Sequence, residues 1–220
     1  MAMLRGNPEP VAAAAPAAIS IAILAKAPVP GIAKTRLMPV LGTDGAAKLQ
    51  AHFIRRSVQT AMTADVGPVT LWITPDRHHP AVKAIAMPLA VKLADQPNGD
   101  LGDRMLAAIA AAPEPAIVIG TDCPALTSEH LRAAAAALRD GVDVVIVPVE
   151  DGGYGLIGMR RAEPALFAGM TWSSDSVMAE TRRRLTRLSL AWWEVARLWD
   201  VDVPADLERL ACEGLACLMR

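Results

Sequence analysis

The sequence predicts an α/β fold in three layers, with helices on both faces of a mostly parallel sheet, and three observations predict it. Short β-branched apolar runs alternate with helix-length amphipathic segments through the first two thirds of the chain. Those runs are apolar nearly throughout, the pattern of strands buried on both faces. The composition, 53% hydrophobic and 20% charged with many alanines and few aromatics, suits helices packed closely on such a sheet. A chain of 220 residues is long enough for one well-buried α/β domain. It is expected over residues 19–220, after an Ala/Pro-rich tail at 1–18 expected to be disordered.

Residues 19–25 are apolar enough for a central first strand. Residues 26–37, KAPVPGIAKTRL, follow as a loop, since Pro28, Pro30 and Gly31 forbid regular structure. Thr43 and Asp44 can start a helix to about Ala64, its apolar stripe running through Ala47, Phe53, Ile54, Val58 and Met62. A second strand is expected at 69–74, a short helix at 79–86 and a third strand at 89–94. Residues 96–104, QPNGDLGDR, form a second polar loop before a helix at 101–112 with Met105, Leu106 and Ile109 inward. Residues 116–126, AIVIGTDCPAL, are a buried strand that breaks into a polar turn. Thr127 or Ser128 caps the next helix, to Arg139, and 143–149 is a fifth strand. Glycines at 152 and 153 turn the chain into a further strand. Helices at 163–168 and 174–188, a strand at 191–201 and a helix from Pro204 or Ala205 to about Leu218 complete the chain.

A formal net charge of −1, with Lys and Arg dispersed, lacks the broad basic footprint of a nucleic-acid binder, so any phosphate bound should belong to a small molecule. Cys123, Cys212 and Cys217 have neither metal-ligand spacing nor the even count of a disulfide framework, which fits a reducing cytoplasm. A secretory leader is disfavoured: Pro8, Pro10 and Pro16 interrupt the segment, and cleavage near Ala27 would remove the first core strand. No stretch approaches the ~20 apolar residues of a membrane span. Met105, Met159 and Met178 read as core fillers.

Three polar islands, 26–36, 96–104 and 120–124, follow predicted strands, and in an open α/β sheet such loops share the ligand-binding rim. Asp122, at a strand's carboxyl end, can be a Mg²⁺ ligand completed by phosphate, or a turn or helix cap. Lys34 and Arg36 beside Gly31, with Lys26 before them, can meet phosphate oxygens or form a solvated loop. The P-loop spacing is absent. Gly152 and Gly153 suit a substrate-facing turn or an ordinary hairpin. Asp200 and Asp202 precede a helix and can cap it, or one of them can join Asp122 on a metal.

These islands carry a resemblance. KAPVPGIAKTRL at 26–37, GDLGDRM at 99–105, GTDCPAL at 120–126, DGGYGLIG at 151–158, TWSSDSV at 171–177 and DVDVPADL at 200–207 together resemble a family provisionally assigned as glycosyltransferases, some named for arsenosugar biosynthesis and formerly described as a domain of unknown function. The sequence is more distantly similar to molybdenum-cofactor and 2-phospho-L-lactate guanylyltransferases. The resemblance implies a Rossmann-like sheet of the nucleotide-diphospho-sugar transferase type (the glycosyltransferase-A fold). Lys26, Lys34, Arg36, Asp100 and Thr121 would then contact the nucleotide or its phosphates. Asp122 would be the catalytic metal-site aspartate and Asp202 a second ligand for Mg²⁺ or Mn²⁺. Asp151, Gly152, Gly153, Tyr154, Trp172 and Ser173 would line the substrate side. Val203 stands where Thr is common, and GTDCP carries a single Asp.

The function expected on these grounds is a metal-dependent transferase using a nucleotide donor, first a glycosyltransferase joining a nucleotide-diphosphate sugar to a small-molecule acceptor. The alternatives are a nucleotidyltransferase releasing pyrophosphate from a nucleotide triphosphate, and a non-catalytic nucleotide-binding module.

Overall fold

The computed structural model describes residues 17–113 and 115–212. Seven strands form one sheet: β1 (Ser20–Lys26), β2 (Val69–Thr74), β3 (Lys92–Asp95), β4 (Ala116–Ile119), β5 (Val144–Pro148), β6 (Tyr154–Met159) and β7 (Trp192–Glu194). Their order is β3-β2-β1-β4-β6-β5-β7. β3, β2, β1 and β4 run parallel, β6 is antiparallel to both β4 and β5, and β7 is parallel to β5. This is the mostly parallel sheet that the apolar runs predict, with β1 inside it between β2 and β4.

The described residues also form the α-helices α1 (Met38–Ala64), α2 (Pro80–Ala86), α3 (Leu101–Ala110), α4 (Ser128–Arg139), α5 (Val177–Arg187) and α6 (Pro204–Cys212). Successive residues of a strand point to opposite faces, so one sheet is covered twice. Ile21, Ile23 and Ala25 of β1 pack with Ile54 and Val58 of α1, Val82 and Ile85 of α2 and Leu131 of α4. Ala22 and Leu24 face Met105 and Ile109 of α3 and Met178 and Leu185 of α5. Met105, Met159 and Met178 are buried, as core fillers should be.

Several boundaries differ from expectation. α1 starts at Met38 but breaks at Gly42 (φ 69°, ψ 172°), a left-handed conformation open to glycine, so the expected start at Thr43 falls just past the break. Met62 is 43% exposed, because Val58, Ala61 and Ala64 form the inward stripe and leave it outside. Met87–Leu89 is a 3₁₀ turn around Pro88, which delays β3 to Lys92. Only Pro164–Leu166 is helical in the expected 163–168 segment, a single 3₁₀ turn that ends before Gly169 (φ 63°). The expected strand over 191–201 is three residues of β7, an irregular stretch and one bridge between Val149 and Leu198. Residues 1–16 of the expected tail and 213–218 of the expected last helix lie outside the described residues. No helix among the described residues is long and apolar enough to cross a membrane.

A third cluster positions the rim. Leu37, Leu49 and Phe53, from the first loop and α1, pack with Trp199, Val201, Leu207 and Leu210, from the segment after β7 and α6. Leu37, Phe53, Val201 and Leu210 are fully buried, each contributing about 1.5–3 kcal/mol. Two loops more than 160 residues apart in sequence (Lys34 and Val201) are thereby fastened together.

Candidate functional site

The carboxyl ends of β1 to β4 lie on one edge of the sheet, and the antiparallel β6 begins there, where the Gly120 N–H donates to the Gly155 carbonyl at 3.1 Å. On this rim Val201 is a hub. Its side chain is buried, its N–H donates to the Asp122 carbonyl (2.8 Å), and its carbonyl accepts from Lys34 Nζ (2.6 Å). Asp200 and Asp202, on either side of it, are only partly buried.

Lys34 occupies the middle. Its ammonium lies 2.6 Å from Asp122 Oδ1 and 3.8 Å from Asp202 Oδ1. Its nitrogen also stands 5.2 Å from the centre of the Phe53 ring, a cation–π contact. The Lys34 side chain is 5% exposed and Asp122's is 48% exposed, so the cation is the enclosed partner and the carboxylate opens to solvent. Lys34 has φ 51°, ψ 44°, a left-handed conformation costing about 1–2 kcal/mol in a residue with a side chain and held here by these contacts. Arg36 Nη1 reaches Asp202 Oδ2 at 2.8 Å from an exposed position.

These contacts separate the alternatives that the residues alone left open. Asp122's carboxylate receives Lys34 and, at a long 3.4 Å, the Thr121 hydroxyl, while Thr127 caps α4. Ahead of α6 the backbone N–H groups of Asp202 and Val203 both donate to Asp206, each at 2.8 Å, leaving Asp202's carboxylate to Lys34 and Arg36. Burial pushes the Asp200 carboxyl up to about 7, with Asp151, Asp202 and Asp122 adding repulsion. Burial also raises Asp202, since its desolvation and the neighbouring Asp122 and Asp151 outweigh the pull of Lys34 and Arg36. Four carboxylates therefore sense one another on this rim.

The remaining expected residues are spread along the same edge. Lys26 ends β1 with an exposed side chain. Thr121 is 4% exposed, and its hydroxyl faces Gln50 Nε2 at 3.3 Å, within the interior. Asp100 caps α3 in a reciprocal pair with Asp103. Asp151 accepts from the Gly153 N–H (2.8 Å), and Gly152, at φ 93°, accepts from the Met178 N–H (2.7 Å). Tyr154 sits edge-on to Trp172 with ring centres 6.4 Å apart, and Trp172 stacks on Phe167 and against Gly102. Burial raises the Tyr154 hydroxyl pKa, and Trp172 Nε1 is enclosed without a hydrogen-bond partner. Ser173 is exposed and left-handed (φ 63°).

Two organising residues were not singled out from sequence. Gln50 donates to the Lys26 carbonyl (3.1 Å) and to Thr121, tying the ends of β1 and β4. Gln96 donates to the Ala25 and Trp72 carbonyls (3.0 and 2.9 Å), tying β1 to β2. A glutamine inside an apolar helical stripe, as Gln50 is between Leu49 and Phe53, is the signal that could have found the first.

Asp122 and Asp202 are hard oxygen donors suited to Mg²⁺ or Mn²⁺. Among the described residues no three His, Cys, Asp or Glu side chains are grouped to hold a metal, so the chain offers a carboxylate pair and a ligand's phosphates would complete the coordination. Cavities of about 380 Å³ beside α5, from Gly169 to Arg184, and about 350 Å³ between Asp143 and Glu163 lie elsewhere. Asp122 and Asp202 line neither of them.

No curated protein matches the chain. A protein of Desulfovibrio desulfuricans G20, described provisionally as a nucleotide-diphospho-sugar transferase, is similar at 28% identity with a TM-score of 0.77, over 91% of this chain and 96% of its own. A nucleotidyl transferase from Methanothermobacter thermautotroptrophicus matches at 15% identity and a TM-score of 0.62, over 91% and 99%. Glucosyl-3-phosphoglycerate synthase from Mycobacterium tuberculosis, solved with Mn²⁺, UDP and glucosyl-3-phosphoglycerate, matches at 11% identity and 0.55, over 92% and 78%. The last two likenesses are of fold. A family profile matches residues 41–174, and the chain belongs to that family, described as an uncharacterized protein conserved in bacteria, DUF2064.

Proposed function

We propose that the chain is a metal-dependent transferase that takes a nucleotide-diphosphate sugar as donor and a small molecule as acceptor. The observation that carries this reading is the convergence of Asp122, Asp202, Lys34 and Arg36 on the rim. In support, the relative at 28% identity is described, provisionally, as a nucleotide-diphospho-sugar transferase.

Asp122 and Asp202 would hold a divalent ion, Mg²⁺ or Mn²⁺, which supplies charge neutralisation on the leaving diphosphate. Lys34 and Arg36 offer cationic donors to the phosphate oxygens, and fixing the donor in this way lowers the barrier by positioning. The acceptor approaches from the side of Asp151, Gly152, Gly153 and Tyr154, with Trp172 and Ser173 beyond. Its oxygen attacks the anomeric carbon as the bond to the diphosphate breaks.

One observation favours a second reading. Lys26, Lys34 and Arg36 bring three cations to one loop, enough for a triphosphate, and the fold is shared with a nucleotidyl transferase. In that reaction an acceptor phosphate attacks the donor's α-phosphorus and pyrophosphate leaves.

Product analysis over a panel of nucleotide sugars and triphosphates with Mg²⁺ or Mn²⁺ separates them. Nucleoside diphosphate with a glycosylated product supports the first reading, and pyrophosphate supports the second. Binding without either product identifies a nucleotide-binding module.

A further inference from the structure

Lys34 does something that a phosphate ligand on an open loop need not do: it is enclosed among carboxylates. Its three ammonium protons meet Asp122 Oδ1 at 2.6 Å and the Val201 carbonyl at 2.6 Å, with Asp202 Oδ1 at 3.8 Å. Its stem is covered to 5% exposure, and Phe53 lies on the other side of the ammonium. An ammonium so placed satisfies the same two carboxylates that a divalent ion would need.

We propose that Lys34 is the resident counter-ion of the Asp122–Asp202 pair, that it competes with a divalent ion for Asp122, and that donor phosphate relieves this competition by drawing the ammonium onto itself. The inference rests on the reading of Asp122 and Asp202 as metal ligands and adds the order in which charges exchange.

The charges argue for exchange. Lys34 and Arg36 balance the two carboxylates they touch, Asp122 and Asp202. A dication entering that arrangement meets the enclosed Lys34 ammonium at a few ångströms, which is unfavourable where solvent screening is weak. A diphosphate brings the missing negative charge and an acceptor for the displaced ammonium. Metal and donor then bind cooperatively, each strengthening the other by the same factor. Arg36 is 63% exposed and can rotate away, so the enclosed Lys34 is the group whose departure matters.

The test is Mn²⁺ binding to the full chain, read from the electron paramagnetic resonance of free Mn²⁺ with no nucleotide present. Lys34→Met keeps the stem over Phe53 and removes the charge. It is expected to tighten Mn²⁺ about tenfold, the size of one displaced ion-pair interaction. Lys34→Gln should do the same, and either variant suffices if the other fails to fold by circular dichroism. Mn²⁺ affinity unchanged or weakened in both, with Asp122→Asn still weakening it, overturns the competition and leaves the metal site standing. Equal Mn²⁺ affinity in wild type and Asp122→Asn removes the metal reading and the competition together. The phosphate half has its own readout: with ¹⁵Nζ-labelled lysine, the resonance lost in Lys34→Met must shift when inorganic pyrophosphate is added without metal. A resonance that stays in place under saturating pyrophosphate overturns it.

Discussion

The two sides of the rim are built by different means. Around Asp122 the geometry is held by charge: Lys34 bridges Asp122, Asp202 and the Val201 carbonyl, and Arg36 closes on Asp202. Around Gly152 it is held by backbone. A left-handed turn at 152 presses on Asp175, accepts from the Met178 N–H and places Tyr154 against Trp172. The charged side can rearrange when ions exchange, whereas the backbone side offers a fixed wall. A donor whose charge changes during reaction suits the first, and an acceptor that must be held still suits the second.

This contrast can be broken from either side. The largest stability effect is expected on the fixed side. In Gly152→Ala a Cβ would overlap the Asp175 backbone at a φ of 93° that alanine avoids. A loss of about 2–4 kcal/mol is expected, lowering the melting temperature by roughly 5–15 °C. A melting curve superimposable on wild type would show that the turn is not rigid.

Asp206→Ala comes next, since Asp206 receives two N–H groups ahead of α6 and its loss should cost about 0.5–2 kcal/mol. Because the same residue fixes the backbone of Asp202, Mn²⁺ affinity should fall with it. A variant destabilised with unaltered Mn²⁺ affinity would separate the cap from the site.

The smallest stability effect is expected for Arg36→Ala, an exposed pair whose loss should move stability by less than about 1 kcal/mol. Donor affinity should nevertheless fall about tenfold to a hundredfold, the worth of one charge-assisted hydrogen bond. Unchanged donor binding by calorimetry would return Arg36 to the solvated loop.

How much of this was legible in the sequence also divides along the sheet. β1, β2 and β4 lie within one or two residues of expectation: β1 and β4 are buried on both faces and leave nearly unbroken apolar runs, while β2 alternates, with Leu71 and Ile73 buried. The far edge was harder. Trp192, Trp193, Val195, Leu198, Trp199 and Val201 read as one strand, yet the ladder with β5 stops at Glu194 apart from the Val149–Leu198 bridge; Val195 and Leu198 pack on the core that includes Val147 and Val149, and Trp199 and Val201 turn into the cluster around Phe53. Burial of those later residues comes from helices α1 and α6, which local pattern does not reveal.

At the site, residue types and strand ends pointed to Asp122, Lys34 and Arg36 and offered Asp200 or Asp202 as a partner for Asp122, but the choice of Asp202, 80 positions away in sequence, came only through resemblance. Spacing along the chain carries no signal for a contact made by a buried valine between two loops. The capping ahead of α6 shows the same limit: that Asp206, and neither Asp200 nor Asp202, receives the Asp202 and Val203 amides depends on backbone angles that composition does not encode.

The central claim is that Asp122 is the carboxylate through which metal and donor meet. Turnover and Mn²⁺ binding of Asp122→Asn, measured beside its melting temperature, address it most directly. The account predicts a loss of at least about 100-fold in metal-dependent turnover and clearly weakened Mn²⁺ binding, with the melting temperature within a few degrees of wild type. A folded Asp122→Asn protein that keeps wild-type turnover and Mn²⁺ affinity would contradict it.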